Sequence, residues 1–405
     1  MDVVFLSPGY PPEMGDYVRG LAEVGARVWG VGDSHEDALP ATAVRHLTHY
    51  LRVPRILDTA DVTARVSAWT QGHRIDRVEA LWEPLVLTAA GLREAMGIPG
   101  MSSDTVRGFR DKELMKERVR AAGLRVPHSA RARNEDEARD AAARIGFPLI
   151  IKPIAGAGSA DTHRVDDAAG LDVALAATRH VPEVSVEEFV TGEEFTYDTV
   201  SIDGSPVFEN VAQYLPRPLE ARTEAWISPV IVTCRDLGAE KLQDGLALGR
   251  AVLGALGMCT GFTHMEWYLT VDGEVVFGEI GCRPGGAHLV DQMNYTCDID
   301  LFREWARAVC WGAFEASTER HYNCAIVFKR AQGDGRIRAV EGLGDFLRAH
   351  GAHVVCQELL PIGARRRDWK RTLLSDGFLI VRHPDWDSTL RIAGAAASGI
   401  AMKAG

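Results

Sequence analysis

The sequence lacks several features that would assign a chain to a class of protein at once. No apolar run approaches the roughly 20 residues that a membrane-spanning helix needs. Lysine and arginine form no long run, and the 405 residues carry a net charge of −11, so we expect no nucleic acid or membrane partner. The seven cysteines include no C-x-x-C pair, which favours reduced thiols and a cytoplasmic protein.

A dinucleotide-binding motif is also missing from the N-terminal part. Residues 1–104 alternate strands and helices in a pattern typical of a parallel, doubly wound sheet, beginning with the apolar residues 3–6. The first loop contains no G-x-G-x-x-G, and Gly30-Val31-Gly32 lacks the third glycine. A dehydrogenase function for this domain is therefore disfavoured.

A hairpin with two glutamates, at residues 261–283, is the most informative stretch that is present. Asp272-Gly273 fits a two-residue turn, which would place Val271 opposite Glu274 and Glu266 opposite Glu279. Carboxylates paired across strands lie about 5 Å apart and repel each other by about 3 kcal/mol. The pair therefore favours Mg²⁺ with substrate phosphates, and a solvated surface hairpin is the alternative.

Strand alternation also predicts which side of the hairpin faces the core. Arg283 would share the carboxylate side and hold an anion beside the metal. The core-facing residues would be Met265, Trp267, Leu269, Val276 and Ile280.

Two upstream segments have the chemistry of a nucleotide site. Lys152 ends an apolar strand just before a Gly/Ser loop, and a cation beside exposed backbone N–H groups suits a phosphate. The lysine precedes the loop, so this is not a P-loop, and a flexible connection is the alternative. Residues 187–194 end another strand, whose backbone would pair with an adenine edge while a carboxylate accepts from ribose. A merely solvated strand end is the alternative there.

The order of these pieces resembles the ATP-grasp superfamily over roughly residues 100–300. In chain order, the motifs are a lysine-bearing helix, a strand that ends in lysine before a glycine loop, and the segment E-E-F-V-x-G-x-E. A glutamate hairpin that ends in E-I-G-x-R-P-G-G follows. Within the superfamily, this sequence is most similar to the carboxylate–amine ligases, including L-amino acid and peptide ligases. It is more distant from the biotin carboxylase and purine-pathway carboxylase branches.

The resemblance implies an architecture of mixed α/β and α+β type. A parallel α/β pre-ATP-grasp domain would occupy residues 1–104, and an ATP-grasp domain residues 105–320. A small mobile lid would lie at about 124–190 within it, and a C-terminal α/β subdomain would occupy 321–405.

The resemblance also implies roles for individual residues. Glu266 and Glu279 would hold Mg²⁺, which Mn²⁺ could replace, and Arg283 and His264 would act in catalysis, His264 by orienting the nucleophile. A structural histidine is the alternative at 264. The residues implied in ATP binding are Lys112, Lys152, Gly158, Ser159, Glu187, Glu188, Val190 and Glu194.

One position departs from the family pattern. Gly281 stands where the superfamily usually has an asparagine that serves as a further metal contact. Water would then complete the coordination, or another side chain such as His264 or Asn294 would do so.

The function implied is ATP-dependent joining of a small-molecule carboxylic acid to an amine through an acyl phosphate. The sequence leaves the oligomeric state open, and a homodimer is the general expectation for an enzyme of this size. Carboxylation of an amine through carboxyphosphate is the alternative within the same chemistry. An inactive ATP-binding regulatory protein is the alternative from another class. Substrate choice is expected to lie in two segments, residues 205–230 and 285–300, which contain Arg217, Arg222, Trp226, His288 and Asn294.

Overall fold

The chain begins with a parallel sheet of four strands in the order β3-β2-β1-β4, as described by a computed structural model covering residues 1–154, 161–370, 372 and 374–405. The loops that follow β1 and β4 are adjacent where the strand order reverses, the usual place for a ligand crevice. The strands are β1 (Asp2–Leu6), β2 (Arg27–Gly32), β3 (Leu47–Arg52) and β4 (Arg77–Glu79). The helices are α1 (Met14–Glu23), α2 (Ala41–His46), α3 (Thr59–Trp69) and α4 (Val86–Met96).

Two capped helices, α5 (Ser103–Gly108) and α6 (Lys112–Ala121), lead out of this domain. The Asp111 carboxylate accepts from the backbone N–H groups of Glu113 and Leu114, so α6 begins at Lys112. The cap thereby fixes the direction in which the Lys112 side chain leaves the helix.

A second, small sheet follows, with its own core of aliphatic side chains such as Leu149, Ile151 and Val186. Its strand order is β5-β8-β6-β7 and all its pairs are antiparallel. The strands are β5 (Ser129–Ala132), β6 (Leu149–Pro153), β7 (His163–Val165) and β8 (Val184–Glu188), and the helices are α7 (Glu135–Ile145) and α8 (Ala168–Ala177).

The rest of the described chain is built around an antiparallel sheet of eight strands in the order β13-β12-β9-β10-β11-β14-β17-β16. The C-terminal strands β14, β16 and β17 extend this sheet, while β15 and β18 pair outside it. The strands are β9 (Glu193–Ile202), β10 (Ser205–Leu215), β11 (Val230–Thr233), β12 (Gly261–Leu269), β13 (Val275–Gly281), β14 (Asn323–Phe328), β15 (Ile337–Glu341), β16 (Val354–Leu359), β17 (Gly377–His383) and β18 (Ala401–Ala404). The helices are α9 (Pro218–Ala221), α10 (Glu240–Leu256), α11 (Leu289–Cys297), α12 (Leu301–Trp311), α13 (Leu343–His350) and α14 (Trp386–Gly399).

The two faces of the large sheet pack against different helices. On β12, Phe262 joins the core that includes α1, α11 and α12, whereas Met265 and Trp267 join the core that includes α10. Because side chains alternate along a strand, His264 and Glu266 lie on the Phe262 face. We call this side of the sheet the site face.

The β12–β13 hairpin pairs Glu266 with Glu279 as predicted, but not through the predicted turn. Its ladder ends at Leu269 opposite Val275, and the turn is closed by a bond from the N–H of Thr270 to the carbonyl of Glu274, 2.9 Å long. The prediction that Val271 faces Glu274 is therefore wrong. An irregularity next to Glu266 shifts the register by one residue and restores the glutamate pair.

The same register shift decides which residues face the core. Phe277, opposite Trp267, packs in the α10 core, while Val276 lies opposite Tyr268. The assignment of Val276 to the Trp267 side is therefore wrong, and that of Met265, Trp267 and Ile280 is confirmed. No helix among the described residues is long and apolar enough to cross a membrane.

Candidate functional site

A cleft with about 720 Å³ of open space lies between the small sheet and the large sheet. It brings together residues that are far apart in the sequence, and a smaller cavity beside it shares Lys112, Glu266 and Glu279 with the cleft. The predicted residues that line the cleft are Lys112, Lys152, Glu187, Glu188, Val190, Glu194, Glu266 and Glu279. His264 and Arg283 line the smaller cavity, and Gly158 and Ser159 lie outside the described residues.

The paired glutamates form the floor of the cleft. Burial, and then the charge of Glu279, raises the pKa of Glu266. Burial also opposes the charge of Glu279, but Lys112 and Lys152 lower its pKa, and their Nζ atoms lie 3.3 and 3.7 Å from its Oε2. Two half-buried carboxylates that repel each other are a suitable pair of ligands for Mg²⁺.

The donor set fits a cation that also binds phosphate. The described residues contain no group of three or more histidine, cysteine, aspartate or glutamate side chains able to hold a metal. Glu266 and Glu279 would therefore supply two oxygens and leave positions open for phosphate oxygens and water. An added Cβ at Gly281 would lie 3.5 Å from the Arg283 side chain, which is ordinary van der Waals contact.

A buried carboxylate holds two lysines at the wall of the cleft. Glu187 accepts from Lys116 and Lys152, each at 2.6 Å, and Lys116 also bonds to Glu113 at 2.7 Å. Burial opposes both charges, but the carboxylates of Glu187 and Glu279 raise the pKa of Lys152, and the two lysines lower that of Glu187. Lys152 is thus a fixed cation facing the cleft.

Lys116 escaped the sequence prediction although it lies one helical turn after Lys112. By contrast the Glu188 side chain bonds to Arg125 at 2.7 Å and to the N–H of His128 at 3.0 Å. Its carboxylate is therefore committed to the protein, as is its N–H, which donates to the carbonyl of His128 at 2.8 Å.

Glu194 occupies the opposite end of the cleft and pairs with Arg217. The Nε of Arg217 donates to Glu194 at 2.9 Å, and its Nη1 donates to the carbonyl of Val190 at 2.8 Å. The guanidinium also lies 4.8 Å from the centre of the Tyr268 ring. Burial, and then the charge of Glu266, raises the pKa of Glu194. Arg217, expected among the specificity residues, lines the cleft and organises this end of it.

His264 is held by an aspartate that the sequence analysis missed. Asp198 lies directly across from His264 in the β9–β12 ladder, and the Nδ1 of His264 is 2.6 Å from its Oδ1. The other carboxylate oxygen accepts from Thr196 at 2.8 Å and Asn210 at 3.2 Å. This leaves the Nε2 of His264 facing Glu266, 4.0 Å away. Only the strand order of the folded sheet places Asp198 here.

Arg283 is anchored by the N-terminal domain. Glu83 follows β4 in a short 3-10 helix and accepts from the Nε and Nη2 of Arg283 at 3.0 and 2.8 Å. Glu83 also bonds to Arg110, and burial opposes its charge while the two arginines lower its pKa. No sequence signal connects Glu83 with a partner 200 residues away. The result is two guanidinium groups beside the paired glutamates, suited to an anion.

The comparisons with known proteins agree with this geometry. The ATP-grasp domain family matches residues 145–291, which include the cleft's Lys152, Glu194 and both paired glutamates. The fold is similar over 100% of the chain to an L-amino acid ligase from Bacillus licheniformis, with a TM-score of 0.80 at 18% identity and 98% of that chain covered. A second similar fold is N5-carboxyaminoimidazole ribonucleotide synthetase from Thermotoga maritima, with a TM-score of 0.72, 18% identity and 100% and 99% of the two chains covered. The chain therefore contains an ATP-grasp domain and has the ATP-grasp fold.

The curated relatives of the chain include amino-acid ligases. An L-arginine-specific L-amino acid ligase from Bacillus subtilis is 26% identical over 255 residues, covering 60% of this chain and 61% of the relative. A D-alanine–D-alanine ligase from Streptomyces coelicolor is 30% identical over 216 residues, covering 49% and 55% of the two chains. The matches thus span about six tenths or less of these relatives' length.

Proposed function

We propose that the chain is an ATP-dependent ligase that joins a carboxylic acid to an amine through an acyl phosphate. The observation that carries the proposal is the arrangement of one cleft in which Lys112 and Lys152 approach Glu279 while Glu266 lies across from it. This arrangement suits the phosphates of ATP, with the arginines of the adjoining cavity suited to the acid. The amino-acid ligases among its relatives support the same chemistry.

In the proposed reaction, an oxygen of the substrate carboxylate attacks the γ-phosphorus of ATP, and the bond from that phosphorus to the β–γ bridging oxygen breaks to release ADP. The amine then attacks the acyl carbon, the C–O bond to phosphate breaks, and the amine loses a proton as the amide forms. Mg²⁺ held by Glu266 and Glu279 would neutralise phosphate charge when bound.

The side chains of this chain would act by position and charge. Lys112 and Lys152 would bind phosphate oxygens, the backbone of residues 187–190 would contact adenine, and Glu194 the ribose. Arg283, fixed by Glu83, would bind the transferred phosphate or the acid, and His264, fixed by Asp198, would orient the amine. Groups held in advance need little reorganisation in the transition state.

A screen of ADP and phosphate release tests the proposal. The purified chain is supplied with ATP, Mg²⁺ and pairs of amino acids or small acids, and a parallel series contains bicarbonate without another acid. We expect ADP release that depends on both an acid and an amine, with an amide product of the corresponding mass. ADP release with bicarbonate alone would favour carboxylation, and tight ATP binding without turnover in any mixture would favour a regulatory protein.

A further inference from the structure

Away from the glutamates lies a buried arginine, Arg330, for which the described residues supply no carboxylate partner. Along β14, Cys324, Ile326 and Phe328 belong to the same core as Phe262, and Arg330 follows two residues after the end of this strand. Arg330 is only 9% exposed. Its Nη1 donates to the carbonyls of Ala221 at 2.7 Å and Glu224 at 2.9 Å, and its guanidinium lies 4.3 Å from the centre of the Trp369 ring.

The hydrogen-bonding capacity of Arg330 is not used up by these contacts. Its Nε is buried and has no hydrogen-bond partner among the described residues. Desolvating a cation without an opposite charge is costly, and a hydrogen-bonding anion is what would offset the cost.

A second arginine, Arg222, directly follows Ala221, whose carbonyl accepts from Arg330. Burial lowers the pKa of Arg222, and burial and then the charge of Arg222 lower the pKa of Arg330 to about 10. Neither guanidinium forms an ion pair with a carboxylate in the part of the chain that the structure describes. The residues outside the described part contain no aspartate or glutamate, so none of them supplies the missing charge.

The surrounding segment adds positive charge on a chain whose net charge is −11. The buried carboxylate nearby, Asp376, is already engaged by the backbone N–H groups of Ala331 at 2.8 Å and Arg367 at 2.7 Å. The segment next to Trp369 contains the cations Arg365, Arg366, Arg367 and Lys370 and one carboxylate, Asp368. Arg366 lies 3.7 Å from Asp334 and 4.0 Å from Asp376, so the positive charge left over belongs to the other side chains.

This cluster borders the cleft through a single short helix. Arg222 is the residue that caps the C-terminus of α9, and Pro218 and Leu219 of the same helix line the cleft. The carbonyls that Arg330 holds belong to α9 and the turn after it. A group bound between the two arginines would therefore lie beside the cleft wall.

We propose that Arg222 and Arg330 form an anion subsite that binds the charged end group, a carboxylate or a phosphate, of a substrate seated in the cleft. The proposal rests on the proposed ligase function for its use of amino-acid substrates. A guanidinium with a free N–H edge, backed by an indole ring, is suited to oxyanions. The subsite would make the chain select acidic or phosphorylated substrates over neutral ones of the same size.

Direct binding tests the subsite without turnover. The full chain, with Mg²⁺ and a non-hydrolysable ATP analogue in the nucleotide site, is titrated calorimetrically with L-glutamate, O-phospho-L-serine and L-glutamine. The three ligands share the α-amino and α-carboxylate groups, so differences in their affinity report the end group. We expect at least one anionic ligand to bind about tenfold or more tightly than L-glutamine, the range of a charged hydrogen bond.

Variants then assign that preference to the arginines. Arg222→Met and Arg330→Met should each bind the preferred anionic ligand about tenfold more weakly, while L-glutamine binding is unchanged. Arg330→Lys should retain part of the preference for the anion. Because Arg330 also holds the α9 turn, the half-buried Arg222 provides the variant least able to disturb the fold. Arg382→Met is the matched control, since Arg382 also lies over a ring, that of Tyr322 at 4.1 Å, but pairs with Asp298.

The outcomes are distinct. No preference for either anion in the wild type, or a preference that survives Arg222→Met, would overturn the subsite, and a preference for one anion alone would identify its chemistry. Binding without amide formation in the ADP-release screen would count against the ligase function and leave the subsite standing.

Discussion

The carboxylate of Glu187 lies 2.6 Å from the ammonium group of Lys152, and its second oxygen is equally close to Lys116. All three side chains are almost fully withdrawn from water. Each buried charge is therefore stabilised by the opposite charge within this group of three. Lys152, which faces the proposed nucleotide cleft, depends on Glu187 and Lys116 for its position.

Replacing Glu187 by Gln should destabilise the protein by about 3 kcal/mol, because two buried ammonium groups would lose their shared counter-charge. Chemical denaturation measures the change. Glu188→Gln is the matched control, since the Glu188 side chain is partly exposed and pairs with Arg125, and it should cost less than about 1 kcal/mol. Equal losses for the two variants would contradict a special role for the Lys116–Glu187–Lys152 group.

Lys152→Ala should weaken the binding of ATP about tenfold or more, because it removes a fixed cation from the wall that we assign to the phosphates. Nucleotide titration with and without Mg²⁺ measures the loss. The exposed Lys403→Ala is the control and should bind ATP like the wild type. Unchanged affinity in Lys152→Ala would show that the phosphates lie elsewhere.

Glu279→Gln should abolish ADP release while the thermal unfolding curve keeps its cooperative shape. The variant removes one of the two carboxylates suited to Mg²⁺ and the partner of Lys112 at 3.3 Å. Glu274→Gln, in the turn of the same hairpin, keeps both paired glutamates and should retain wild-type activity. A fully active Glu279→Gln enzyme would place the metal at another site.

Gly278→Ala should impair metal-dependent activity by displacing Glu266. A Cβ at position 278 would lie 2.8 Å from the Glu266 carbonyl oxygen, closer than atoms in contact tolerate, so the strand carrying the metal ligand must move. The same substitution at Gly254 meets no atom within 4 Å and provides the control. Activity and Mg²⁺ dependence of ADP release measure the effect, and identical values for the two variants would show that the register beside Glu266 is unimportant.

The free energy of unfolding should increase as the pH rises above 8, because the buried Lys329 loses its charge in the folded protein. Its Nζ donates to Ser228 and to the last carbonyls of α14, and burial lowers its pKa to about 8. An unfolded lysine titrates near 10.4, so between these values the unfolded chain binds more protons and the free energy of unfolding increases with pH.

The comparison of Lys329→Met with the wild type isolates this contribution from other titrating groups. The difference between the two free energies of unfolding should change by about 1–3 kcal/mol between pH 7.5 and 10. Denaturant titrations at several pH values measure it, and Lys403→Met should show no such change. A parallel pH dependence in wild type and Lys329→Met would contradict a strained charge at Lys329.

The sequence by itself determined the local features of this protein. Apolar runs and caps define the strands and helices, and the Lys152 strand and the Glu266–Glu279 hairpin stand out because residue types and spacing are local signals. Even so, the glutamate pair is produced by two compensating departures, a longer turn and a register shift beside Glu266, that no residue pattern in the hairpin revealed.

Only the tertiary structure decided which residues support the site. Glu83 reaches Arg283 across 200 residues, Asp198 faces His264 because β9 and β12 are neighbours, and Arg330 reaches the carbonyl of Ala221 across 109 residues. These contacts depend on strand order and on the docking of one domain against another. Many sequences can satisfy such geometry, so these long-range contacts have no fixed residue spacing along the chain. The charged residues that position the site can therefore be identified only from the assembled sheets.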